Sequence, residues 1–112
     1  MTNYQTGHDA EKVVAEHLAD RGFKIIELNW KTKWCEIDIV ARKDRAIYFV
    51  EVKSRRGDSF GSGLDYITKP KLQKMKFAAE LWVTNKNWDG DYQLVAAEVD
   101  GAKITFIDDL FV

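Results

Sequence analysis

Two apolar stretches, residues 35–41 (CEIDIVA) and residues 47–53 (IYFVEVK), decide the fold of this 112-residue chain. Each is short, rich in β-branched or aromatic residues and bounded by polar residues, which is typical of a β-strand. A tight polar turn around Lys43-Asp44-Arg45 separates them. The pattern predicts a hairpin with strands at Glu36–Ala41 and Ile47–Lys53.

Acidic residues lie inside both predicted strands. Because side chains alternate between two faces along a strand, Glu36 and Asp38 are expected on one face, with the isoleucines at positions 37 and 39 on the other. On the second strand, Glu51 and Lys53 share a face, and valines occupy the opposite one. Each strand therefore carries an acid within an otherwise apolar segment.

The hairpin brings two carboxylates together if its register aligns Asp38 with Glu51. Two carboxylates and a backbone carbonyl make an oxygen-rich site that suits Mg²⁺ or Mn²⁺. A neighbouring Lys53 would offset negative charge and could position or activate an attacking water. The alternative is a structural ladder of ion pairs across the two strands, although burying ions without a function is costly.

The N-terminal region supplies a further acid. Apolar residues recur with the helical period over Gly7–Arg21, which predicts an amphipathic helix. At 100° per residue, Glu11 lies roughly 90° from the centre of the apolar stripe, and Glu16 lies roughly 130° away. A residue at the rim of the stripe can reach inward over a sheet edge, so we expect Glu11 to join the two strand acids. The alternative for Glu11 is an acid that faces solvent.

A second helix and three further strands complete the fold. The helix is predicted to begin near Thr68, with Pro70 in its first turn, and Trp82 falls on its apolar stripe. The further strands are predicted at Phe23–Leu28, Tyr92–Val99 and Lys103–Ile107. The order α-β-β-β-α-β-β predicts a small α/β sandwich around a mixed sheet, with residues 1–112 as one domain.

The composition is that of a folded domain. Apolar residues make up 46% of the chain, enough for one core, and 31% of residues are charged. This excludes a disordered chain, a collagen-like repeat and a disulfide-stapled miniprotein. No apolar run approaches the ~20 residues that span a bilayer. With a single cysteine, Cys35, and no export signal at the N-terminus, the expected compartment is the reducing cytoplasm.

The charge distribution is uneven although the net charge is only −1. Between Arg42 and Lys76 there are ten basic and four acidic residues, so the acidic excess lies in the rest of the chain. Such asymmetry indicates one positive face, which suits a polyanionic partner. The alternative is an ordinary solvated surface.

The acids and the lysine of the hairpin carry a resemblance. Asp38, followed thirteen residues later by Glu51-Val52-Lys53, resembles the signature of the PD-(D/E)xK nuclease-like superfamily. A closer resemblance is to the YraN family of small bacterial proteins. The family's pattern is matched by Glu11, Gly22-Phe23, Asn29-Trp30, Glu36–Asp38, Phe49–Arg55 and Lys71. The chain departs from it at His17, Cys35 and Gln93, where the family usually has Tyr, Gly and Asp.

The resemblance implies a restriction-endonuclease-like three-layer sandwich with a mixed five-stranded sheet. It also implies a nuclease that hydrolyses phosphodiester bonds, with DNA as the expected substrate and one or two Mg²⁺ or Mn²⁺ ions as cofactors. The implied catalytic residues are Asp38, Glu51 and Lys53. The metal ligands would be Glu11, Asp38, Glu51 and the Val52 carbonyl, and the nucleic-acid contacts Arg55, Arg56, Lys71 and Lys74.

A second hypothesis is a binding module on the same fold, with a weak or vestigial metal site and a protein or nucleic-acid partner. In either case the chain has little room for a sequence-reading domain. Specificity is then expected from substrate shape, from a homodimer or from a partner protein.

Overall fold

The computed structural model describes residues 6–54 and 68–108, with side chains from Asp9 onward. Two helices and five strands follow the predicted order. The helices are α1 (Thr6–Asp20) and α2 (Lys69–Lys86), and the strands are β1 (Lys24–Lys31), β2 (Glu36–Lys43), β3 (Ala46–Ser54), β4 (Asp91–Asp100) and β5 (Lys103–Ile107).

The five strands form one mixed sheet in the order β1-β2-β3-β4-β5. Every neighbouring pair is antiparallel except β3 and β4, which run parallel. Parallel neighbours need a crossover of a dozen or more residues, usually a helix. Here α2 lies in that crossover.

The two helices cover opposite faces of the sheet. Alternate residues of the central strands separate into an α1-side core and an α2-side core, as strand geometry requires. The α1-side core consists of Ala10, Val14, Ala15, Leu18, Ile39, Ala41, Val50, Val95, Ala97 and Val99. The α2-side core consists of Ile37, Val40, Ile47, Phe49, Ala78, Ala79, Trp82, Leu94 and Ala96. The predicted three-layer α/β sandwich is confirmed.

The start of α2 follows the sequence prediction. Thr68 is the N-cap, and its hydroxyl accepts a 3.3 Å hydrogen bond from the Lys71 N–H. Pro70 lies in the first turn, where the missing N–H has no helical partner to lose. Trp82 packs in the core as predicted, with its ring 5.5 Å from that of Phe49. Its Nε1–H donates to Glu27 of β1 at 2.7 Å, which anchors α2 to the sheet.

The first strand differs most from its prediction. It was expected to end at Leu28 but continues to Lys31. Asn29 lies inside it with a left-handed backbone (φ 52°), which asparagine tolerates better than most residues.

In the part of the chain that the structure describes, no helix is both long and apolar enough to cross a membrane.

Candidate metal centre at a fork in the sheet

The sheet divides between β2 and β3. Their antiparallel ladder ends at the pair Ile39–Val50. Beyond that pair, β2 continues beside β1 as far as Glu36, and β3 continues beside β4 as far as Ser54. We call the space between residues 36–38 and residues 51–54 the fork.

Asp38 and Glu51 occupy the first positions beyond the last paired residues, one on each arm of the fork. One further step of the ladder would set them opposite each other, in the alignment that the sequence predicted. Instead, the strands separate there. An Asp38 carboxylate oxygen accepts a 2.8 Å hydrogen bond from the Val52 N–H. The side chain thus satisfies a backbone donor near the end of the β2–β3 ladder.

The surroundings of Asp38 oppose its ionisation. The pKa of Asp38 is raised from an ordinary 3.8 to about 7, chiefly by burial, while the hydrogen bond from Val52 acts in the opposite direction. The negative charges of Glu51, Glu11 and Glu36 contribute to the same increase. Three acids, one each from α1, β2 and β3, therefore act on the Asp38 carboxylate.

A change of face in β2 positions Asp38. Strand alternation predicted Ile37 and Ile39 on one face, but Ile37 packs in the α2-side core and Ile39 in the α1-side core. The prediction was wrong because the alternation is interrupted between them. Asn29 of β1 lies opposite Asp38 in the register, and its left-handed backbone accompanies the same change of face in β1.

Glu51 is held by a lysine from the helix above it. The Lys71 ammonium lies 2.9 Å from the Glu51 carboxylate, with 38% of the lysine side chain and 20% of the glutamate side chain exposed. Such a partly exposed pair contributes modestly to stability. It does show that the Glu51 carboxylate is within reach of a cation at the mouth of the fork.

Glu11 contributes from the opposite layer. Its Oε1 atom is buried and has no hydrogen-bond partner among the described residues, and the same is true of Oδ2 of Asp9, two residues earlier on α1. A buried carboxylate oxygen without a partner is costly. The charge of Glu11 acts on Asp38, so the helical acid expected near the strands lies close to them.

These donors fit a hard divalent cation. The site offers carboxylate oxygens, one of them buried without a partner, and excess negative charge that raises the pKa of Asp38. Oxygen ligands of this kind suit Mg²⁺ and Mn²⁺. Among the described residues, no three acidic, histidine or cysteine side chains already converge on one point as a cage. A metal would have to compete with Lys71 for Glu51, whereas the Val52 N–H occupies only one of the two Asp38 oxygens.

The remaining residues of the expected site are distributed around the fork. Lys53 lies on β3 two residues after Glu51, and its side chain is exposed. The Val52 N–H has a role that the sequence did not suggest, whereas its expected carbonyl ligation stays a prediction. Arg55 and Arg56 lie outside the described residues.

An open cavity of about 370 Å³ adjoins the fork. Glu36 and Glu51 line its acidic side, and Lys71 and Lys74 of α2 line its basic side. Lys71 and Lys74, two of the four residues expected to contact nucleic acid, therefore line the same cavity as Glu51, an expected metal ligand.

The departures from the family pattern do not displace the fork acids. Gln93 pairs with Tyr48 in the β3–β4 ladder, at a distance from the fork, which lies beyond Val50. Cys35 closes a turn before β2, where its carbonyl accepts a 2.8 Å hydrogen bond from the Thr32 N–H.

Comparison with known proteins identifies the family. Residues 10–105 match the profile of UPF0102, described as an uncharacterised protein family. The chain belongs to UPF0102. UPF0102 is the YraN family, so the predicted family membership is confirmed.

Relatives in the family are similar over most of their length. A UPF0102 protein of Sulfurihydrogenibium sp. is 34% identical over 112 residues, covering 99% of this chain and 97% of its own. One from Dictyoglomus turgidum is 41% identical over 86 residues, covering 77% and 73%. One from Vibrio campbellii is 32% identical and covers 92% and 88%.

Sequence reasoning missed two features of this UPF0102 protein. The left-handed backbone at Asn29 was not foreseen, although an asparagine inside an apolar strand is a signal for it. The unpartnered oxygen of Asp9 was also missed. An acid in the first turn of a helix is common without any ligand, because its negative charge is stabilised by the positive end of the helix dipole.

Proposed function

We propose that this UPF0102 protein is a metal-dependent nuclease that hydrolyses phosphodiester bonds of DNA. The observation that carries the proposal is that the negative charges of Glu11 on α1 and Glu51 on β3 act on Asp38 at the point where β2 and β3 separate. Negative charges acting on Asp38, together with a buried Glu11 oxygen that has no hydrogen-bond partner among the described residues, favour a cation-binding role over a purely structural one.

Glu11, Asp38, Glu51 and the Val52 carbonyl would hold one or two Mg²⁺ or Mn²⁺ ions. A bound divalent ion polarises a phosphoryl oxygen and lowers the pKa of a water ligand. Within this arrangement the Val52 N–H keeps Asp38 oriented toward the fork. Lys53, on the same strand as Glu51, would orient the attacking water.

The basic residues would bind the substrate backbone. Lys71 and Lys74 line the cavity beside Glu51, and Arg55 and Arg56 follow β3 in the sequence. Contacts to phosphates position a nucleic acid without reading its sequence.

One observation favours the second candidate, a binding module. The Lys71–Glu51 ion pair already satisfies a carboxylate that the nuclease needs for its metal. In that account the positive face binds a nucleic acid or an acidic protein, and no hydrolysis follows.

Hydrolysis assays separate the two candidates. Single-stranded, duplex, flapped and four-way DNA are incubated with the protein and Mg²⁺ or Mn²⁺, and Asp38→Ala protein, purified identically, controls for contaminating nucleases. The proposal predicts metal-dependent cleavage by the wild type and none by the variant. Equal cleavage by both proteins, or none by either, would leave the binding module.

A further inference from the structure

Trp34 is the most exposed of the large apolar side chains in the described part of the chain. It lies between β1 and β2, and 71% of its surface is accessible to solvent. Its ring forms part of the wall of the cavity that contains Glu51 and Lys74. An aromatic ring left in solvent beside a candidate active site offers a surface for a planar ligand.

Hydrogen bonds fix the backbone that carries this ring. The Thr32 hydroxyl accepts hydrogen bonds from the N–H groups of both Trp34 and Cys35, each at 3.1 Å. The Thr32 N–H in turn donates to the Cys35 carbonyl at 2.8 Å. The turn is therefore closed by its own hydrogen bonds, and Trp34 is presented at the cavity by a defined backbone.

The charges around the ring suit a phosphate ester. The Lys33 ammonium lies 5.6 Å from the centre of the Trp34 ring. Across the cavity are Lys71 and Lys74, and Lys74 forms no ion pair with a described residue. Lys71, which lies 2.9 Å from Glu51, adds a second positive charge to the same wall of the cavity.

The size of the cavity limits what can enter. About 370 Å³ is near the lower end of the ~300–1,000 Å³ range of small-ligand pockets. A nucleotide with an unpaired base suits a pocket of that class, but a base pair within a duplex does not. Duplex bases are stacked on one another, so only an unpaired base offers its face to an aromatic side chain.

We infer that the cavity binds one unpaired nucleotide of a DNA strand, with its base stacked on Trp34 and its phosphate beside Lys71 and Lys74. The inference rests on the proposed function, and it names the substrate class as single-stranded DNA or a DNA junction with unpaired bases. Duplex DNA would then be bound only through its phosphates.

The test measures binding without cleavage, by fluorescence anisotropy in EDTA. The probes are a single-stranded oligonucleotide, the same length of abasic strand and a duplex. Trp34→Ala should bind the single strand about 5- to 150-fold more weakly, the range for losing one base–aromatic stack. Its affinity for the abasic strand and the duplex should not change.

Two further variants serve as controls. Trp34→Phe retains an aromatic face and should recover most of the affinity that Trp34→Ala loses. Leu28→Ala removes another exposed apolar side chain, one on β1 outside the cavity, and should bind all three probes as the wild type does.

Unchanged single-strand affinity in Trp34→Ala, or an equal loss on the abasic strand, would overturn the inference. Absence of single-strand binding by the wild type would do the same. Hydrolysis is scored separately. If Trp34→Ala cleaves DNA as well as the wild type does, the proposed function stands and the inference about Trp34 is wrong. If single-strand binding depends on Trp34 but no DNA is cleaved, the inference stands and the proposed nuclease function is wrong.

Discussion

The carboxylate of Asp38 and the N–H of Val52 form a 2.8 Å hydrogen bond that joins β2 to β3 just beyond the end of their ladder. The same carboxylate experiences the charges of Glu51, Glu11 and Glu36. It is therefore fixed in orientation and held among other acids. In an ion-pair ladder Asp38 would face a base, whereas the charges that raise its pKa here are those of other acids.

The raised pKa of Asp38 makes the stability of the metal-free protein depend on pH. Between the unfolded value near 3.8 and the folded value of about 7, the native state binds a proton that the unfolded chain has lost. The free energy of unfolding should therefore fall as pH rises through this window. The slope from this one group is at most about 1.4 kcal/mol per pH unit, and it disappears above about pH 7.

Asp38→Asn should remove this dependence, because asparagine stays neutral and can still accept the Val52 hydrogen bond. Denaturant unfolding in EDTA from pH 4 to 8 measures it, with Asp89→Asn, an exposed acid before β4, as the matched control. The variant should gain stability relative to the wild type as pH rises. Parallel profiles for Asp38→Asn and wild type would contradict the pKa assigned to Asp38.

Lys71 is expected to compete with the metal for Glu51. Lys71→Gln removes both the contact at 2.9 Å and a nearby positive charge, so Mn²⁺ should bind more tightly. Partly exposed pairs are worth about 0.2–1 kcal/mol, which corresponds to a gain of about 1.5- to 5-fold. Calorimetric titration with Mn²⁺ measures it.

Lys74→Gln provides the control for this titration, since it removes the same charge from the same cavity without a contact to Glu51. Its Mn²⁺ affinity should change less than that of Lys71→Gln. Equal gains in the two variants would mean that general electrostatics, and not displacement from Glu51, sets the affinity.

The left-handed backbone of Asn29 predicts that glycine at this position destabilises the protein less than valine does. Asn29→Gly should be tolerated, because glycine adopts positive φ without steric cost. Asn29→Val should lower the free energy of unfolding by about 1–2 kcal/mol, the cost of that conformation for an ordinary residue. Thr105→Val, at an exposed strand position without positive φ, is the control. Equal stability of the valine and glycine variants at position 29 would refute the role of this backbone.

The sequence predicted the position of the fork acids better than their surroundings. The strand bounds and the hairpin turn suffice to place Asp38 and Glu51 at corresponding positions just beyond the β2–β3 ladder, and helical periodicity favoured Glu11, whose charge acts on Asp38. The Lys71–Glu51 contact depends on how α2 packs over β3, which local pattern does not determine. The change of face at Asp38 depends on the backbone of a neighbouring strand, so strict alternation could not reveal it.

A further prediction concerns Arg55 and Arg56, and it follows from their charge and their place after β3 in the sequence. Arg55→Ala/Arg56→Ala should weaken DNA binding to all sequences similarly. It should also reduce the slope of log affinity against log salt by about one unit for each phosphate that the variant no longer binds. Arg21→Ala/Lys24→Ala removes two exposed charges elsewhere and should leave the slope unchanged. An unaltered slope in the Arg55/Arg56 variant would remove these residues from the interface.

Melting curves with and without Mn²⁺ show whether the fork binds a divalent metal. A ligand that binds only the native state stabilises it by about 2.7 kcal/mol at 100 times its Kd, so Mn²⁺ should raise the Tm of the wild type. Asp38→Asn should abolish that shift while leaving the metal-free protein at least as stable. A metal-free loss of stability in Asp38→Asn, together with no Mn²⁺ shift in the wild type, would contradict the metal site and favour the ion-pair ladder.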